Sequence, residues 1–144
     1  MNVRPAYESQ ADRNAEREIA DAIAQEWGVR AHKLKRFYPI DFALFQTNTL
    51  LHSWLEVKCR RLIAHDTYRD IILSLHKVSA GIQFAHFTCV LFHFAVAFRD
   101  GIYIVELDEH RGYPIRLEGR TDRNDQEDIE PCACIPVSAF RRLL

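Results

Sequence analysis

Residues 90–98 alternate large and small apolar side chains without giving either face to water. In an extended strand, Val90, Phe92, Phe94, Val96 and Phe98 point one way, and Leu91, His93, Ala95 and Ala97 point the other. A strand that is apolar on both sides must be covered on both sides. It is therefore read as a central strand, with a helix on at least one side of its sheet. Arg99-Asp100-Gly101 follows as a hairpin turn, with glycine where positive φ is wanted, and residues 102–107 return as the next strand.

The rest of the chain must supply the neighbours and the cover. Residues 1–11 read as a flexible arm, and a helix begins at Asp12 with Ala15, Ile19, Ala22, Ile23 and Trp27 as its apolar stripe. Gly28 is its natural stop. Glu16 falls at the edge of that stripe, whereas Glu18 and Glu26 lie further out on the polar side. A basic strand is expected over 30–37 and a hairpin over 39–46 and 51–59, with Pro39 tolerated at the first strand position. A polar connection at 60–69 leads to a second helix over 70–87, built on Ile71, Leu75, Val78, Ile82 and Ala85, with Ser74, Lys77 and Gly81 on an adjacent stripe. Residues 113–118 extend the sheet, 119–130 form a mobile acidic loop, and 132–137 make a short strand. Ser138 then caps a final helical turn over 138–143. The fold class is α/β in the α+β sense: one domain over 1–144, with a central mixed sheet flanked by helices.

Composition narrows the classes. A chain of 144 residues, 48% hydrophobic and 27% charged, is long enough for one well-buried core and ordinary for a globular protein. It has no apolar run approaching the roughly 18–20 residues of a membrane span and no signal-peptide core, so a cytoplasmic protein with no membrane partner is expected. Cys59, Cys89, Cys132 and Cys134 lack the paired spacing of a zinc site and read as buried free thiols, Cys132 and Cys134 on one strand face. Net charge is only −1, but Arg30, Lys33, Lys35, Arg36, Lys58, Arg60 and Arg61 cluster between residues 29 and 61. A polyanion partner suits that cluster, and a solvated charged face is the bland alternative.

Inside the basic stretch lies the chemistry. If the 39–59 hairpin turns about Asn48-Thr49, paired residue numbers sum to 97, and Asp41 lies opposite Glu56. Like charges opposed across a sheet are unfavourable unless something between them is positive. Glu56 and Lys58 share one strand face, so an amine would sit beside whatever cation the carboxylates hold. A divalent cation between the two carboxylates would remove that repulsion. His76, His86 and His93 sit among apolar neighbours and read as core or rim histidines.

Pro39-Ile40-Asp41, followed after fourteen residues by Glu56-Val57-Lys58, resembles the "PD" and "E-x-K" elements of the PD-(D/E)xK nuclease superfamily, with Ile40 intervening in the first. Ala15-Glu16, ahead of Ile19 and Ile23, resembles the first-helix glutamate of many members. The order of elements over about 12–107 matches too, and small bacteriophage nuclease-like proteins are the nearest in character. The resemblance implies a restriction-endonuclease-like αβββαβ core and Mg²⁺-dependent hydrolysis of DNA phosphodiesters, by an endo- or exodeoxyribonuclease with Mn²⁺ as substitute ion. It implies Asp41, Glu56, Lys58 and Glu16 as catalytic residues. Asp41, Glu56, the Val57 carbonyl and Glu16 would face the metal. Lys35, Arg36, Arg60, Arg61 and Lys77 would be nucleic-acid contacts. A Holliday-junction resolvase is the nearest variant within nucleases, and a homodimer or a larger protein partner goes with so small a chain. If viral, the protein would work in the host cytoplasm. Two other readings compete: a non-catalytic DNA-binding or accessory module on the same fold, and an interaction protein docking through the 92–98 strand and the acidic tail.

Overall fold

The computed structural model describes residues 9–119 and 129–144. Helix α1 (Gln10–Trp27) is set by a reciprocal capping box. The Ser9 side chain accepts from the Asp12 amide, and the Asp12 carboxylate accepts from the Ser9 amide. The helix therefore starts at Gln10 rather than Asp12, and what remains of the expected arm, residues 1–8, lies outside the described residues. Gly28 ends the helix in the left-handed region (φ 67°), its N–H reaching the Ala24 and Gln25 carbonyls. The buried stripe is Ile19, Ala20, Ile23 and Ala24, with Trp27 at its margin.

Six strands form the main sheet: β1 (Arg30–Lys33), β2 (Phe42–Phe45), β3 (Leu51–Arg60), β5 (Leu91–Phe98), β6 (Gly101–Glu106) and β9 (Arg141–Arg142), in the spatial order β1-β2-β3-β5-β6-β9. Only β3 and β5 run parallel. Strand β4 (Asp70–Ser74) and helix α2 (Leu75–Thr88) make the crossover between them. As its two apolar faces require, β5 is interior and covered twice. Ala95 and Ala97 pack toward α1 with Phe42, Leu44, Leu55 and Val57. Phe92, Phe94, Val96 and Phe98 pack on the opposite side with Ile40, Ile71, Leu73 and Ile135.

That second cover differs from expectation. Residues 70–74 are strand β4, not the first turns of a helix. Ile71 and Leu73 are buried at a spacing of two and pair with β8 (Ile129–Pro136). Strand β7 (Ile115–Gly119) does not extend the main sheet. It joins β8 and β4 in a three-stranded sheet ordered β4-β8-β7. The acidic stretch is thus strand at Gly119 and again from Ile129, and 120–128 lies outside the described residues. Strand β1 stops at Lys33, and residues 34–41 leave the sheet as a turn. Ser138 sits within a 3₁₀ turn (Val137–Ala139) and caps nothing; β9 follows where a helical turn was expected. Cys132 and Cys134 are buried as read, but Cys59 is half-buried and Cys89 is exposed. All four are free thiols.

Helix α2 lies close against β5 because Gly81 leaves room for the Phe92 ring. A Cβ on Gly81 would fall 2.2 Å from that ring, which is itself fully buried. Gly81→Ala is therefore expected to lower unfolding free energy by about 1–3 kcal/mol through overpacking, despite alanine's better helix propensity. Urea denaturation checks this. An unchanged or raised midpoint would mean that the helix and sheet separate freely.

Candidate active site

The β2–β3 register keeps the sum of 97 at Phe42↔Leu55, Ala43↔Trp54 and Leu44↔Ser53, shifting only at a bulge between Leu44 and Phe45. Asp41 precedes the first of these pairs and Glu56 follows its partner, so the two carboxylates meet at the open end of β2. Asp41 Oδ2 accepts from the Val57 amide at 3.0 Å, which fixes the carboxylate against β3. Because Leu55 and Val57 fill the α1 side, Glu56 and Lys58 point to the other, beneath α2 and the small sheet. Glu56 is 3% exposed.

The positive group between the carboxylates is Lys77 of α2. Its Nζ lies 2.5 Å from Glu56 Oε2 and 4.0 Å from Asp41 Oδ1. Lys33 Nζ approaches Asp41 Oδ1 from the other side at 3.5 Å. Burial, and then the neighbouring Asp41 charge, push the Glu56 carboxyl up to about 8, with Lys77 pulling against both. Lys77 is displaced upward: burial opposes its charge, but Glu56, Asp41 and Glu16 together outweigh that. Lys58 does not reach the carboxylates. Its Nζ donates to the Ile72 carbonyl of β4 at 2.5 Å. Burial, and next the charge of Arg60, bring its amine down to about 8, so it exchanges a proton near neutrality.

These groups floor a cleft of about 1450 Å³. Glu16 of α1 lines it, so the first-helix carboxylate does share the site with Asp41, Glu56 and Lys58. Lys35, Arg36, Arg60 and Arg61 line it as well, with Arg61 drawn to Glu18 at 3.8 Å. Lys77 was expected at a phosphate, but here it sits on the carboxylates. The sequence marks Lys33 only as part of the basic cluster, and its place beside Asp41 comes from the β1–β2 pairing, in which Lys33 lies opposite Phe42. Of the histidines, His93 is buried against Trp27 and burial pushes it down to about 4. His76 lines the cleft rim, and His86 lies outside it beside Glu109. The docking reading of residues 92–98 fails, because that strand is core.

The residues fit a divalent cation. Oε1 of Glu56 is buried, and no hydrogen-bond donor reaches it among the described residues. Two hard carboxylates already converge on one positive charge. Among the described residues no three His, Cys, Asp or Glu side chains gather closely enough to hold a metal ion by themselves. Magnesium sites commonly need only one or two protein carboxylates, the rest of the shell being water and phosphate.

Comparison with known proteins places the fold and the family. A solved structure of Hjc from Archaeoglobus fulgidus, a Holliday junction resolvase from an archaeal hyperthermophile, superposes with a TM-score of 0.57. The similarity covers 91% of this chain and 90% of that one at 18% identity, which speaks for the fold. No curated protein matches the sequence. No helix among the described residues is long and apolar enough to cross a membrane. The model of the family described as "Phage putative PDDEXK endonuclease" matches residues 2–143, nearly the whole chain. The chain therefore belongs to this phage family of the PD-(D/E)xK superfamily and is a metal-dependent nuclease.

Proposed function

We propose that the protein is an Mg²⁺-dependent endonuclease acting on DNA, with its site at the open end of β2 and β3. The observation that carries the reading is the convergence of Asp41 and Glu56 on one positive charge, with Lys58 next along the same face. In this reading Asp41, Glu56 and the Val57 carbonyl would hold the ion, and Glu16 on the cleft wall would reach it through water. When bound, the ion acidifies water and offsets charge gathering on the phosphate. Lys58, balanced near neutrality, takes a proton from the attacking water in its neutral form. Water adds to phosphorus, and the ester oxygen leaves with a proton from solvent. Lys77, paired with Glu56 and close to Asp41, holds their charge in place of a cation. Lys35, Arg36, Arg60 and Arg61 hold neighbouring phosphates along the cleft, so binding weakens as salt rises.

The test is a cleavage panel of single-stranded, duplex, flap and four-way DNA with Mg²⁺ or Mn²⁺, the four-way arm being prompted by the resolvase neighbour. Cuts at internal phosphates of at least one of these substrates with Mg²⁺ are the expected result. Binding without cleavage on every substrate and with either ion would favour a non-catalytic module.

A further inference from the structure

Residues 34–41 are more than a link between β1 and β2. The Leu34 amide bonds the Asp41 carbonyl at 2.9 Å and closes the neck. Inside it the Tyr38 amide bonds the Lys35 carbonyl at 2.9 Å, making a tight turn. Ile40, buried in the core, nails the return strand down. On this braced tip Phe37 and Tyr38 stand 79% and 43% exposed. Their rings stack on each other, with centroids 5.3 Å apart and planes 25° from parallel. Two exposed aromatics at the end of a rigid turn contribute little to the core, and such patches on soluble proteins usually meet a partner.

Their surroundings say what kind. Both rings line the same cleft as Asp41, Glu56 and Lys58, among Lys33, Lys35, Arg36, Arg60 and Arg61. Tyr68, exposed on the β3–β4 connection, lines it too. The acidic wall of the cleft, Asp12 and Glu16, belongs to α1, not to the tip. Basic side chains with exposed aromatic faces between them are the pattern that holds unpaired nucleotides: cations track phosphates, and rings stack on bases. A continuous duplex hides its base faces and has no use for the rings. Distance agrees. Only Pro39 and Ile40 separate Tyr38 from Asp41, so their Cα atoms are at most about 11 Å apart. The rings therefore stand within a few nucleotides of the site's carboxylates.

We propose that the β1–β2 tip is a stacking platform, Phe37 and Tyr38 holding an unpaired base of the substrate strand beside the cleavage site. The enzyme then acts on DNA with a splayed or single-stranded segment in preference to continuous duplex. This rests on the DNA-cleaving reading above and names its substrate class.

Fluorescence anisotropy in EDTA, at fixed salt, would compare a single strand, a splayed fork and a blunt duplex of the same sequence. Phe37→Ala and Tyr38→Ala should each weaken single-strand and fork binding about 10-fold, with blunt duplex changed less than about twofold. Tyr38→Phe should restore the fork. Equal losses on all three probes, or no loss on any, would overturn the platform. Both side chains are exposed, so the variants should keep the wild-type melting temperature. Wild-type cleavage of blunt duplex as fast as fork would also sink the proposal while leaving the nuclease reading intact. Absence of cleavage on every substrate would instead remove the reading beneath it.

Discussion

Asp41→Asn and Lys58→Ala are each expected to reduce metal-dependent cleavage at least about 10³-fold while the protein stays folded. Asn at 41 retains a carbonyl oxygen that can accept from the Val57 amide, so the end of β2 keeps its anchor. What it loses is the negative charge, so of the converging pair only Glu56 would still offer a carboxylate to a divalent ion. Lys58→Ala acts differently. It leaves both carboxylates in place but removes the amine that burial has brought down to about 8. It also strips the Ile72 carbonyl of its donor, at a cost of about 1–3 kcal/mol. Calorimetric titration with Mg²⁺ separates the two: affinity should fall in Asp41→Asn and persist in Lys58→Ala, with single-turnover cleavage near background in both. If Lys58 is the proton acceptor and Glu56 a metal ligand, as proposed, both must shed a proton before cleavage. The cleavage rate should therefore rise steeply with pH below about 8 and level off above it. Full activity in either variant would remove that residue from the site.

Much of the site was legible because it depends on local rules. Strand alternation put Glu56 and Lys58 on one face, and an even-length turn gave the register that brings Asp41 to Glu56. The bulge at Leu44/Phe45 disturbs that register only on the turn side, away from the carboxylates. The covered strand β5 was equally plain, since no other position accepts two apolar faces. What escaped was set by distant partners. Residues 71–85 fit a helical stripe as well as a strand followed by a helix. Only pairing of Ile71 and Leu73 with β8, some sixty residues on, decides for a strand. The β9 strand likewise exists because β6 offers it an edge at Tyr103 and Ile104. The place of Lys77 depends on how closely α2 approaches the sheet, and so on Gly81 against Phe92.

The same geometry explains how a buried glutamate can be kept on a strand before any metal arrives. A carboxylate as enclosed as Glu56 would cost several kcal/mol if ionised alone. The fold offsets that in two ways: it raises the proton affinity of Glu56, and it supplies Lys77. Neither is permanent, since a proton and an ammonium can both yield to a divalent ion. Binding of the ion should therefore release a proton and strengthen as pH rises toward about 8.

Lys77→Met is the sharpest test of that arrangement. Methionine keeps the length and apolar stem but leaves Glu56 without its cation. Breaking a buried pair typically costs about 3–5 kcal/mol; with the Lys77 side chain 36% exposed, solvent screening argues for about 3 kcal/mol or less. The sign of the pH dependence follows from Glu56, whose folded value is raised from 4.5 to about 8. Its contribution to stability is fully present below 4.5 and is lost as pH rises to about 8, because the folded state holds the proton longer than the unfolded one. Lys77 lowers the folded value, so removing it moves the loss to higher pH and deepens it. At pH 5 Glu56 is protonated in both proteins, and the variant should melt close to wild type. In EDTA the deficit should then grow as pH is raised from 5 to 9. Added Mg²⁺ should then recover more stability in Lys77→Met than in wild type, having no ammonium to displace. A deficit independent of pH and indifferent to Mg²⁺ would mean that Lys77 serves only to pack α2 against the sheet. It would then have no part in balancing the carboxylates.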